Sequence, residues 1–208
     1  MVPRILAHLR QRFRHRRYEQ IQAWTQFETL PGYVLDLGGG PASFFVALFP
    51  RPERALLVDI DYDKVYQAKK RVPALSVIVA DAGHLPFANR SIHATICNSV
   101  IEHVATPDAL ATEVRRVSKE FFLQTPNGDF PLETHSFIAI PFYNLLPSIW
   151  LRKLTCRLLK ANFDYISSVR YLSEEKLKHL FPDSTVAYER VLGLKKSFYV
   201  YHREEEAP

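Results

Sequence analysis

The sequence predicts a doubly wound α/β fold, and three observations carry that prediction. Short apolar runs alternate with amphipathic stretches at the spacing of β-α-β units. The first run ends in Gly38, Gly39 and Gly40, and the second ends in the acids Asp59 and Asp61. A crossover helix returns the chain to the same sheet in parallel, so such a sheet gathers ligands at the carboxyl ends of its strands.

At the N-terminal end, residues 4–28 carry Ile5, Leu6, Leu9, Phe13, Ile21, Trp24 and Phe27 on one helical face. Arg16 and Arg17 interrupt the stripe, so one long helix and two short ones both fit. Pro31 and Gly32 then signal a turn. Strand, glycine turn and helix are expected over 33–37, 38–40 and 42–49. A second strand over 54–60 precedes an amphipathic helix over 63–71, and a third strand over 74–80 ends at Asp81. A fourth strand spans 92–97, a helix with proline in its first turn spans 107–118, and a fifth strand spans 120–124.

The alternation stops there. Residues 125–159 are aromatic and punctuated by proline, which reads as a loop followed by helices. A helix over 173–180 has Ser173 as its cap, and strands over 185–192 and 195–201 flank Gly193.

The chain has 208 residues, of which 47% are hydrophobic and 24% charged. That composition supports one well-buried core and excludes disordered or collagen-like architectures. Cys97 and Cys156 are too few for a disulfide framework and have no zinc-ligand spacing, which fits a reducing cytosol. The net charge of +5 belongs to one end: residues 1–17 carry six arginines and no acid, and six fewer cations take +5 to −1. A broad nucleic-acid face is therefore disfavoured, and residues 1–30 read as a basic helical arm preceding a domain over 31–208. No apolar run reaches the roughly 18 residues of a membrane-spanning helix. The greasiest stretch, 137–151, is broken by Pro141, Asn144, Pro147 and Ser148. No apolar segment comes after the N-terminal charges in the manner of a secretory signal.

Glycines at a strand-to-helix turn let a ligand approach the backbone, and an acid ending the next strand can accept both hydrogen bonds of a ribose diol. Asp59 lies 19 positions beyond Gly40, which predicts a nucleoside-containing cofactor. A dinucleotide fingerprint would need glycine where Ser43 stands, so pyrophosphate binding is disfavoured.

Five segments in order resemble the class I S-adenosylmethionine-dependent methyltransferases, in particular their small-molecule, methyltransferase type 11-like branch. They are V-L-D-L-G-G-G-P-A at 34–42, L-V-D-I-D at 57–61, V-A-D-A-G-H-L-P-F at 79–87, N-S-V-I-E-H-V at 98–104 and A-L-A-T-E-V-R-R-V at 109–117. The resemblance implies a Rossmann-like sheet of seven strands with the last antiparallel, and a helical lid over about 126–170. It also implies S-adenosylmethionine as cofactor and S-adenosylhomocysteine as product. Asp36, Gly38, Gly39 and Gly40 would line the cofactor, its methionine part above all. Asp59 would hold its ribose, Ile60 would also bind the cofactor, Asp81 with Ala82 would read its adenine, and Asn98 would stand beside the donor methyl. Pro41 departs from the family's glycine turn and should stiffen it.

Two histidines are candidate general bases, His103 after the fourth strand and His135 after the fifth. His103 belongs to an I-E-H motif that also fits a structural role. His135 lies in T-P-N-x-x-x-P-x-E-x-H, which resembles a substrate-side loop in bacterial methyltransferases of lipid-linked glycan pathways. Cys97 reads as core filling, Glu102 as a local cap or pair, and Asn98 lacks the Pro-Pro expected of nucleobase amino-methyltransferases. No metal site is expected. The acceptor class is a small molecule or a glycan- or lipid-linked compound. The cations at 152, 153, 157 and 160 read either as a solvated face or as an interfacial helix that, with the basic arm, meets an anionic membrane. The resulting expectation is a cytoplasmic enzyme, which on the interfacial reading alone sits at the inner leaflet. A methyltransferase-like binding or scaffold protein is the alternative, with a nicotinamide oxidoreductase behind it.

Overall fold

The computed structural model describes residues 15–24, 31–133 and 140–204. Its frame is a seven-stranded sheet. The strands are β1 (Val34–Leu37), β2 (Ala55–Asp59), β3 (Ser76–Val79), β4 (Ile92–Asn98), β5 (Ser118–Pro126), β8 (Thr185–Val191) and β9 (Leu194–His202), in the order β3-β2-β1-β4-β5-β9-β8. The first five run parallel, and β9 pairs antiparallel with both β5 and β8. The expected sheet, with its last strand antiparallel, is the one observed. Order reverses between β1 and β4, which opens a crevice at their carboxyl ends.

Apolar residues occur on both sides of the central strands because both faces are covered. One face, with Val34, Leu57, Ile96, Phe122 and Tyr199, packs against three helices. They are α1 over residues 15–24, α2 (Phe44–Leu48) and α3 (Tyr62–Arg71). Trp24 of α1 stacks on Tyr201, 4.5 Å between ring centroids. The other face, with Leu35, Leu37, Cys97, Phe121 and Leu123, packs against α4 (Pro107–Val117) and α7 (Glu174–Leu180). Capping side chains set where several helices begin: Ser43 accepts from the Val46 amide, Asp61 from Asp63 and Lys64, and Ser173 from Lys176.

Some boundaries differ from the sequence reading. The helix expected from 42 begins at Phe44, because Gly40–Ala42 forms a separate 3-10 turn around Pro41 and Ser43 caps the α-helix beyond it. Strand β5 is longer than 120–124 because it is hydrogen-bonded on both sides, to β4 and β9. The β8–β9 turn is Leu192-Gly193, both at positive φ (50° and 82°), the geometry that matches the twist of a two-residue hairpin.

The segment after β5 holds a short antiparallel pair, β6 (Leu132–Glu133) with β7 (Ile140–Pro141), which periodicity did not signal. Beyond it lie two helices, α5 (Ile149–Leu158) and α6 (Phe163–Ser168). They share a small cluster of buried residues, Tyr143, Cys156 and Ile166, separate from the two main cores. Among the described residues no helix is long and apolar enough to cross a membrane.

Candidate functional site

Register brings the chemistry together. Pairing sets Leu37 beside Val58 and Cys97, Asp59 beside Val79, and Asn98 beside Gln124, so the strands end at one edge. A cleft of about 380 Å³ opens there. Gly38, Asp59, Ile60, Asp81 and Ala82 line it, contributed by the ends of three consecutive parallel strands. Asp36, Gly39, Gly40 and Asn98 lie at the same edge but outside the cleft lining.

The glycine turn is shaped by its surroundings. Gly38 has φ +72°, and a Cβ there would come within 2.5 Å of the Val100 side chain. A Cβ on Gly39 would overlap the Asp36 carboxylate. The turn therefore lies directly on Asp36. At Gly40 (φ +58°) the same construction reaches only ordinary contact with Lys64 and the Asp59 carboxylate, so the space between turn and carboxylate stays open.

Asp36 is 2% exposed, and its Oδ2 has no hydrogen-bond partner among the described residues. Burial pushes its carboxyl up to about 7, a hydrogen bond from Ser43 works against that rise, and the charge of Asp59 adds to it. A cationic group on the far side of the glycine turn would relieve the cost of ionising it.

Asp59 is 7% exposed and accepts from the Asp61 amide at 3.1 Å through Oδ1. Lys64 Nζ stands 3.9 Å from the same oxygen, reaching back from the first turn of α3. Asp81 is exposed, with Oδ1 occupied by the Gly83 amide at 2.8 Å.

The opposite wall comes from the chain after β4. Ser99 adopts φ +57°, a conformation that costs a non-glycine residue about 1–2 kcal/mol. Two bonds to Gln124 hold it: the Ser99 amide donates to the backbone carbonyl at 2.9 Å, and the hydroxyl to Oε1 at 2.6 Å. That bend sends Val100 under the glycine turn and starts the 3-10 helix Ile101–His103. Glu102 is fully buried and accepts from the Thr125 hydroxyl at 3.0 Å, tying this helix to β5. His103 is exposed at the cleft rim, where its ring stacks on Tyr165 of α6 at 5.5 Å. His135 lies outside the described residues.

Sequence reading missed Lys64, Ser99, Val100, Val104 and Tyr165 as cleft residues. Lys64 had a signal in hindsight, since it sits one helical turn beyond the Asp59 and Asp61 pair. Tyr165 had none, because only the packing of α6 brings it to His103.

The larger omission is Arg17. Counted with the basic arm, it instead reaches from α1 to the strand ends. Nη1 donates to Asn98 Oδ1 at 2.9 Å and to Gln124 Oε1 at 3.4 Å, and Nη2 pairs with Glu189 Oε2 at 3.0 Å. Lys196 and Ser197 also reach Glu189, at 3.2 and 3.0 Å. Burial works to raise the Glu189 carboxyl, but Arg17 and Lys196 together with these hydrogen bonds hold it below its ordinary range.

Residues 35–120 match the family model described as a methyltransferase domain. A curated relative, an uncharacterized methyltransferase of Mycobacterium sp. (strain KMS), is 33% identical over 94 residues, 44% of this chain and 37% of that protein. The chain thus spans little more than a third of the length of such relatives. Among solved structures, the PH0226 protein of Pyrococcus horikoshii OT3 superposes with a TM-score of 0.57 at 20% identity, covering 86% of this chain and 84% of that one. Geranyl diphosphate C-methyltransferase of Streptomyces coelicolor A3(2), solved with Mg2+, geranyl diphosphate and S-adenosyl-L-homocysteine, superposes at 0.60 with 13% identity, covering 91% and 80%. These last two likenesses are likenesses of fold.

Proposed function

We propose that the chain carries a class I S-adenosylmethionine-dependent methyltransferase domain, in keeping with the methyltransferase-domain match over residues 35–120, and transfers a methyl group to a small-molecule or glycan- or lipid-linked acceptor. The observation that carries this reading is the cleft itself, in which Gly38, Asp59, Ile60, Asp81 and Ala82 meet at one strand edge. A crevice bounded by a glycine turn and a buried carboxylate suits a nucleoside with a hydrophilic tail, and the partnerless Asp36 oxygen suits a cationic one. Bound there, S-adenosylmethionine supplies an electrophilic methyl group and leaves as S-adenosylhomocysteine.

In this reading Asp59 accepts from the ribose hydroxyls, with Ile60 covering the sugar. Asp81 and the Ala82 backbone meet the adenine edge. Asp36, Gly38, Gly39 and Gly40 receive the methionine end, Asp36 by charge acting through the turn. Asn98, its carbonyl oxygen occupied by Arg17, would stand beside the donor methyl at the end of β4. His103, its ring stacked on Tyr165, is one candidate to take a proton from an acceptor hydroxyl or ammonium, and His135 is the other. Holding donor and acceptor in line can supply much of the acceleration of such a displacement. A small acceptor accords with the Streptomyces neighbour, whose structure holds geranyl diphosphate. The expected place of action is the cytoplasm, at the inner leaflet if the basic segments meet the membrane.

Calorimetric titration with S-adenosylmethionine, S-adenosylhomocysteine and NAD tests the proposal. Saturable binding of the first two with NAD silent is expected. Absence of binding by either methionine nucleoside would overturn it in favour of a scaffold role.

A further inference from the structure

Helix α5 has two apolar faces. The inner one packs through buried Cys156 against Tyr143 and Ile166, and Arg152 is turned inward, donating to the Leu146 and Asn144 carbonyls. The outer one carries Trp150, Leu154 and Leu158 at successive four-residue steps, hence on a single stripe, with 79, 52 and 73% exposure. Leu151 widens the stripe, and exposed Phe142 precedes it. Lys153 and Arg157 lie three residues beyond Trp150 and Leu154 and so border the stripe, with exposed Lys160 just past the helix end.

Charge decides what such a face can meet. From residue 134 to residue 163 the chain holds four cations and no Asp or Glu. A second copy would set two such segments together with no acid to offset them. An anionic bilayer offers both an apolar layer for the indole and leucines and phosphates for the cations.

We propose that the outer face of α5 docks on the surface of an anionic lipid bilayer. Trp150, Leu154 and Leu158 enter below the headgroups, while Lys153, Arg157 and Lys160 remain among the phosphates. The inner cluster joins α5 to α6, and Tyr165 of α6 forms part of the cleft rim, where an acceptor would enter, so docking ties that rim to the membrane through one intervening helix. The consequence for acceptor entry rests on the methyltransferase reading, whereas the docking does not.

The test uses the full chain and phosphatidylcholine vesicles with or without phosphatidylglycerol, read by cosedimentation and Trp fluorescence. Binding is expected on the anionic vesicles, weaker by about tenfold or more without the anionic lipid and in high salt. The variant Trp150→Ser/Leu154→Ser/Leu158→Ser, altered only on the exposed face, should lose this binding while keeping its far-UV circular dichroism and its affinity for S-adenosylhomocysteine. Lys153→Glu/Arg157→Glu should lose it too. Equal binding by wild type and the triple variant would assign any attachment to the basic arm and overturn the proposal. Failure of the wild type to bind anionic vesicles would also overturn it, as would a dimer abolished by the triple substitution. If S-adenosylhomocysteine fails to bind the wild type while docking persists, the cofactor reading falls and the membrane face stands.

Discussion

Arg17 Nη1 donates to Asn98 Oδ1 at 2.9 Å, joining a residue of the first helix to the last residue of β4. The same guanidinium pairs with Glu189, so three distant segments share one cation at the carboxyl edge of the sheet. Among the described residues, Arg17→Ala would leave Glu189 with Lys196 as its one charged partner in a largely buried setting. We expect a loss of about 2–3 kcal/mol in denaturant unfolding, with Arg17→Lys recovering only part because lysine cannot fork. Additive effects of Arg17→Ala and Glu189→Gln in a double-mutant cycle would show that the pair is not coupled.

Asp59 tests the nucleoside pocket most directly. If Asp59 accepts from both ribose hydroxyls as proposed, Asp59→Ala should weaken S-adenosylmethionine and S-adenosylhomocysteine by about a hundredfold. The fold should persist, since the carboxylate faces the cleft and its internal partners are one amide and a distant ammonium. Affinity equal to wild type by calorimetry would remove Asp59 from the site.

Asp36 gives a signed pH dependence. Its carboxyl binds a proton more tightly in the folded chain, with a pKa of about 7 against an ordinary 3.8. The folded state therefore holds the extra proton between these values, and this group's contribution to stability declines as pH rises from about 4 to about 7, by an amount on the order of a few kcal/mol. Asp36→Asn should flatten that part of the curve relative to wild type. Parallel curves for the two proteins in urea titrations across the range would refute the assignment. A cationic ligand near the turn should bind more tightly as pH rises through the same window.

Gly39→Ala and Gly193→Ala separate two reasons for glycine. At Gly193 only the positive φ opposes a side chain, and the cost should be about 1 kcal/mol. At Gly39 the new methyl would have to displace a buried carboxylate, so a loss of about 2 kcal/mol or more is expected. Equal thermal stabilities would mean that Asp36 moves aside freely.

The central sheet was legible because its signals are local. A strand ending in Gly38, the acid of Asp59 and the caps at Asp61 and Ser173 each act within a few residues of themselves, and alternation of strand and helix dictates parallel order. Contacts across the chain were not legible. Arg17 and Glu189 are 172 positions apart, and nothing near Arg17 distinguishes it from the arginines before it. Ser99 gave no sign of its left-handed bend, which exists because Gln124 supplies two partners across the sheet. In α5, composition announced apolar and basic residues, but only tertiary packing separates Cys156 from Trp150 and shows which face stays outside. The burial that raises Asp36 likewise depends on glycine packing above it, not on its neighbours in sequence.

The cluster of Tyr143, Cys156 and Ile166 stands apart from both sheet cores. Opening it would expose little of the packing that holds the sheet together, so α5 and α6 are expected to open as a unit of their own. Their amides should exchange with solvent through partial openings that leave the strands protected. Substitutions there draw on a small local reserve of free energy rather than that of the whole molecule. This part of the chain can thus be remodelled while the frame beneath it remains intact.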